Sequence, residues 1–278
     1  EENTVYFYDV NAKVNWKHNN NNRFFAALYL GRDVFDFDNT FGFDWGNATA
    51  TFRWNHLFND RLFSNTSLIA SNFDYKLELD DDTQGFKWAS NIQQLTFKED
   101  LNYFVSPTNE INFGYHLSYQ NFSPGTIEPN SDKSLFTTVE LQKEYALDHN
   151  IYVEHQRKLN NKLTVLYGAR LSFFQSVGPA AVYLYEDVTD NINIERTDTL
   201  SFNRFEEVES YLNLEPRFSA RYMLNPRSSL KLSFNRMVQN THLISSGTVP
   251  IPFNTWAPSS LYLEPQIADQ TAIDRKST

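Results

Sequence analysis

Cysteine is absent from the 278 residues, methionine occurs only twice, and no apolar run exceeds the seven residues Phe24 to Leu30. Without cysteine there is no disulfide framework, no thiolate metal site and no cysteine nucleophile. The longest apolar run falls far short of the roughly 18 residues that a membrane-spanning helix needs. A mean hydropathy of −0.52 excludes a helical membrane protein on the same ground. Basic residues are also scarce, 24 Lys plus Arg against 34 Asp plus Glu for a net charge of −10, so the basic stripe that nucleic acid requires is missing.

Catalytic patterns are equally thin. There is no Gly-rich phosphate loop and no G-x-S-x-G elbow. His18, His56, His116, His149, His155 and His242 are dispersed, with no zinc-type pair and matching third ligand. Asp80-Asp81-Asp82 lacks the spacing of a calcium-binding loop and reads as a solvated turn. No catalytic residue, metal or cofactor is expected. The start, Glu1-Glu2-Asn3-Thr4, carries neither a basic nor an apolar targeting region, and the sequence reads as an interior piece with any signal peptide upstream.

What the chain does have is a period of two, held over long stretches. Tyr6, Tyr8, Val10, Ala12, Val14 and Trp16 alternate with Asp9, Asn11, Lys13, Asn15 and Lys17, the pattern of a strand between an apolar and a wet surrounding. Ala48, Ala50, Phe52, Trp54, His56 and Phe58 do the same, as do Ile111, Phe113, Tyr115, Leu117 and Tyr119. About ten such strands are expected. The fourth carries Ile69, Phe73, Tyr75, Leu77 and Leu79 on one face, and the seventh is expected from about Val139 to Gln156.

The connections supply a second pattern. Those after strands one, three, five, seven and nine are brief, whereas those after strands two, four, six and eight are longer, up to Gln175 to Ser210. A soluble sandwich also alternates, but its strands are usually only about 5 to 6 residues long and nothing makes every second turn short. A transmembrane β-barrel has short periplasmic turns, long extracellular loops and alternating lipid-facing and lumen-facing side chains. Tyr6, Tyr8, Trp16, Trp54, Phe58, Tyr115, Tyr119 and Tyr222 fall on the expected outward faces near strand ends, where amphipathic rings form interfacial girdles.

Toward the C-terminus the residues become specific. Tyr211-Leu-Asn-Leu-Glu-Pro-Arg-Phe-Ser-Ala-Arg-Tyr-Met-Leu224, Ser228 to Met237, His242 to Ser246, Trp256 to Ser260 and Pro265 to Gln270, with the earlier Leu163-Thr-Val-Leu-Tyr-Gly-Ala-Arg170, resemble the barrel of TonB-dependent outer-membrane receptors of the Bacteroidetes type. The resemblance is strong from Tyr145 to Gln270 and rests on pattern alone before that. It implies a barrel of about 22 strands in the Gram-negative cell outer membrane, surrounded by outer-membrane lipid. It also implies an N-terminal plug energised by TonB with ExbB and ExbD, and import of a scarce saccharide, peptide or iron chelate. A surface lipoprotein partner is left open. Residues 1–270 then form a partial barrel domain with plug and signal peptide outside the chain, and 271–278 form a divergent or truncated tail, because the alternation expected after Gln270 is not evident. A passive or structural barrel without a plug is the alternative.

On this reading Glu140, Glu144, Asp148, Glu154, Arg170, Glu215, Arg217, Arg221 and Lys231 face the lumen, where complementary charge on neighbouring strands ties a wet wall together and meets a plug. Tyr183, Tyr185, Phe205, Phe253, Trp256 and Tyr262 lie in long loops, where exposed rings stack on a ligand or pack the loops together.

Overall fold

The computed structural model describes residues 3–38, 40–185, 196–244 and 255–277. Among these all regular structure is β: β1(Thr4–Lys17), β2(Asn22–Phe37), β3(Phe41–Leu57), β4(Leu62–Leu79), β5(Phe86–Ser106), β6(Asn109–Pro129), β7(Val139–Glu140), β8(Glu144–Lys158), β9(Leu163–Val177), β10(Ala180–Tyr185), β11(Arg196–Phe202), β12(Glu207–Asn225), β13(Ser228–Gln239), β14(Thr241–Ile244), β15(Thr255–Pro258) and β16(Gln266–Ser277). Eleven of them form one sheet in the order β1-β2-β3-β4-β5-β6-β8-β9-β12-β13-β16, with β7 beside β6. Every neighbour is antiparallel, and the hairpins β10–β11 and β14–β15 stand apart from the sheet.

The brief turns are built by their own side chains. Asn59 Oδ1 accepts from the backbone N–H groups of Arg61 and Leu62 at 2.9 and 3.0 Å, and Asn160 Oδ1 does so from Lys162 and Leu163 at 2.8 and 2.9 Å. Asn19 and Asn225 open their turns in the same way. An asparagine that bonds its own backbone two residues on fixes the reversal locally, and the register follows from it.

That register keeps like with like across the strands. On one face Trp16 meets Phe24, Phe24 meets Trp54, Phe52 meets Leu68 and Phe218 meets both Tyr167 and Phe234. The other face pairs Asn55 with Asn65, Thr96 with Ser118 and Ser219 with Ser233. The apolar face is open to its surroundings, with Leu68 at 50 %, Leu212 at 65 % and Leu214 at 58 % exposure, so what covers it lies outside the chain. The polar face is the inner one. Trp256, from the segment between β13 and β16, packs on this face against the cluster of Phe122 of β6, Ala146 of β8 and Phe174 of β9.

The structure departs from the sequence reading at three places. The apolar residues of strand four, Phe73, Tyr75 and Leu77, lie on the inner face, and with Trp88 they build a core against Phe41, Phe43, Trp45, Phe86 and Ile127. On the outer face at that level stand Arg32, Asp44 and Asp74, joined as an ion-pair cluster. The alternation therefore reverses phase partway up β3 and β4, because the preference of a face is set by what it meets at each height. The seventh strand breaks at Leu141 to Lys143, leaving β7 and β8. The stretch 271–278 is expected as a tail, but its described residues, 271–277, continue β16, which pairs with β13 from Gln239↔Gln266 to Ser228↔Ser277. Its outer face carries only Ile267 and Ile273 among Asp269, Thr271 and Arg275, too few apolar residues to show as alternation.

Candidate functional site

The inner wall is a connected polar surface. Arg217 Nη1 donates to Glu154 Oε1 at 2.9 Å. Arg170 Nε donates to Asn150 Oδ1 at 2.8 Å and lies 3.7 Å from Glu215 Oε1. Tyr152 Oη donates to Asp100 Oδ1 at 2.6 Å, with His116 Nε2 2.8 Å from the same oxygen. Glu215 is 4 % exposed, and Asp148 Oδ1 is buried with no hydrogen-bond partner among the described residues. Buried carboxylates are tolerated where cations and donors surround them, and Arg170 fills that role for Glu215.

Toward the brief turns this wall holds a concavity of about 670 Å³ lined by Lys158, Arg217, Arg221, Lys231, Glu110 and Glu154 among others. Arg221 and Lys231 are direct partners across β12 and β13, and neither forms an ion pair among the described residues. Like charges placed opposite each other are unfavourable, and the acidic Asp274 stands opposite Lys231 on its other side, across β13 and β16.

At the opposite end the loops meet. Tyr183, Tyr185 and Tyr262 line a crevice of about 210 Å³ with Gln142, Glu144 and Ser260. Tyr262 Oη donates to the Tyr183 carbonyl at 2.8 Å, and the rings of Tyr185 and Tyr262 lie 6.2 Å apart at 55°. The Ala181 N–H donates to Gln142 Oε1 at 3.0 Å, tying the β10–β11 hairpin to the chain before β8.

Of the residues singled out in the sequence, the wall gathers Asp148, Glu154, Arg170, Glu215, Arg217, Arg221 and Lys231, and the crevice gathers Tyr183, Tyr185 and Tyr262. Glu144 belongs to both, at the top of β8. Glu140 stands in β7 at the exposed rim, 3.4 Å from Lys143. Phe205 packs near Tyr119, ring centroids 5.9 Å apart, on the apolar face. Trp256 is spent on the inner-wall cluster already described. Phe253 lies outside the described residues. Sequence reasoning missed Tyr152, Asp100 and His116, whose only signal was a polar parity shared with their strand neighbours.

No family model and no curated protein matches the sequence. Solved structures do. The chain matches the ferric-catecholate import receptor Fiu from E. coli over 98 % of its own length and 48 % of that chain, with a TM-score of 0.63 and 12 % identity. It matches BauA, the ferric preacinetobactin receptor from Acinetobacter baumannii, over 99 % of its own length and 45 % of that chain (TM-score 0.64, 12 % identity). For FyuA, the ferric yersiniabactin uptake receptor from Yersinia pestis, the figures are 98 %, 43 %, 0.63 and 10 %. These neighbours are TonB-dependent outer-membrane receptors, not enzymes. The chain has the fold of their barrel, an all-β antiparallel sheet, and spans less than half the length of each.

Proposed function

We propose that the chain is part of the barrel of a TonB-dependent receptor of the Bacteroidetes type, importing a scarce nutrient across the Gram-negative outer membrane. The observation that carries the reading is one continuous sheet with an open apolar outer face and a paired-charge inner face, on the fold of three import receptors. In this role outer-membrane lipid covers Leu68, Leu212 and Leu214. The inner wall faces an N-terminal plug, which couples through TonB with ExbB and ExbD to the proton-motive force. The crevice of Tyr183, Tyr185 and Tyr262 takes part of the incoming ligand. Iron chelates, the cargo named for the neighbours, are one class alongside saccharides and peptides.

The test is uptake by cells expressing the full-length receptor, before and after the proton-motive force is collapsed. Energised uptake stops on collapse if the reading holds. Uptake that continues unchanged overturns it in favour of a passive barrel without a plug.

A further inference from the structure

We infer that the crevice beneath Tyr183, Tyr185 and Tyr262 recognises an organic ammonium group carried by a larger ligand. This rests on the import reading only in treating the crevice as the outer, ligand-facing end.

Three observations carry the inference. First, three tyrosines line the crevice, their π-faces attract cations, and the Tyr262 ring is anchored by its hydrogen bond to the Tyr183 carbonyl at 2.8 Å. One face of the Tyr183 ring is occupied by Arg196, whose Cζ sits 4.8 Å from its centroid. Second, among the described residues no Lys or Arg lines the crevice, whereas Glu144 does. The Oε2 of Glu144 is buried with no hydrogen-bond partner among the described residues. The neighbouring Lys143 does not neutralise it, because its Nζ is engaged by Glu140 at 3.4 Å. Burial without a counter-charge pushes the Glu144 carboxyl up to about 7, and a cation supplied from outside favours its charged form and relieves that cost. Third, the volume of about 210 Å³ is below the roughly 300 Å³ at which sites for whole drug-sized ligands begin. The crevice therefore takes one head group, with the remainder of the ligand over the rim. Aromatic rings around an isolated carboxylate suit an ammonium; they disfavour a carboxylate or phosphate, which would meet Glu144 with like charge.

The experiment uses the full-length receptor in detergent micelles, titrated calorimetrically with choline and with 3,3-dimethyl-1-butanol, its uncharged isostere. Choline is expected to bind at least on the order of tenfold more tightly than the isostere. Glu144→Gln should remove that preference, and Tyr262→Ala should weaken choline binding while the protein keeps the heat-resistant electrophoretic migration of a folded barrel. Equal binding of the two probes, a preference for the isostere, or no saturable choline binding would overturn the assignment. The two proposals fail separately. Energised uptake without choline preference removes the ammonium assignment alone, and choline preference with uptake indifferent to the proton-motive force removes only the import reading.

Discussion

The hydroxyl of Tyr152 on β8 donates to Asp100 on β5 at 2.6 Å although β6 lies between them. It does so by passing over Gly114, the β6 residue that is the register partner of both. Arg217 reaches Glu154 by the same device, over Gly168 of β9. Side chains two strands apart stand about 10 Å from each other, and they meet here because the residue between has no side chain.

A methyl group at either glycine should break its bridge. A Cβ at Gly114 would lie 2.4 Å from the Glu99 carbonyl and 2.8 Å from Tyr152 Cε1, and one at Gly168 would lie 2.3 Å from the Val153 carbonyl. Gly114→Ala and Gly168→Ala are each expected to destabilise the barrel by about 1–3 kcal/mol through overpacking. The denaturant midpoint of the full-length protein, followed by tryptophan fluorescence, measures it. An unchanged midpoint would mean that the strands move apart at no cost.

The Arg217–Glu154 pair should show coupling beyond its parts. Its side chains are 31 % and 20 % exposed, partly withdrawn from water, so truncating one partner leaves the other poorly solvated. Arg217→Met alone is expected to cost more than Arg217→Met combined with Glu154→Gln. The interaction energy from the double-mutant cycle should be about 0.5–3 kcal/mol. Additive single and double variants would show the pair to be ornamental.

The β14–β15 hairpin should loosen in acid. His242 is 3 % exposed, its Nε2 lies 2.8 Å from Ser259 Oγ, and its Nδ1 is buried without a partner among the described residues. Burial holds its pKa below the ordinary 6.5, because the charged form loses its hydration. The docked hairpin therefore binds a proton more weakly than the open one, and protons favour opening. Docking is complete above pH 6.5 and weakens as the pH falls below it. Once corrected for the intrinsic pH dependence, amide hydrogen exchange at residues 255–257 should show falling protection over that range. In His242→Gln that fall should vanish.

The strands were legible where one surrounding persists along a whole face, as for Tyr115, Leu117 and Tyr119 against His116, Ser118 and Gln120. The asparagines at 19, 59, 160 and 225 made the brief turns equally readable. Legibility failed where the surrounding changes with height: Phe73, Tyr75 and Leu77 look like an outer face until the pairing of Asp44 and Asp74 with Arg32 shows which side meets water. β16 was hidden for a related reason, since Arg236 and Asp269 hold each other on its outer face at 2.7 Å in place of apolar contact. Of the loop aromatics, Tyr183 and Tyr262 meet across 79 positions of sequence. Phe205 and Trp256, also aromatic and from the same two loops, pack on opposite faces of the sheet. Composition could nominate these rings, but only register and curl could sort them.

The sharpest test of what covers the outer face is a charge placed on it. Leu214 is 58 % exposed on β12, flanked by Leu171 of β9 on the same face. If water met this surface, Leu214→Arg would be close to neutral, as exposed substitutions away from special features usually are. If hydrocarbon meets it, the guanidinium must be brought into lipid, and the expected cost is about 2–4 kcal/mol near the bilayer midplane. Ser219→Arg, five positions along the same strand but on the inner face, shares the wet wall with Arg217 and Arg221 and should cost far less in the same bilayer. Folding of both variants into lipid vesicles, titrated with denaturant, gives the comparison directly. A large penalty confined to Leu214 identifies the apolar face as lipid-covered. Equal penalties, or none, would return the sheet to a protein partner or to water.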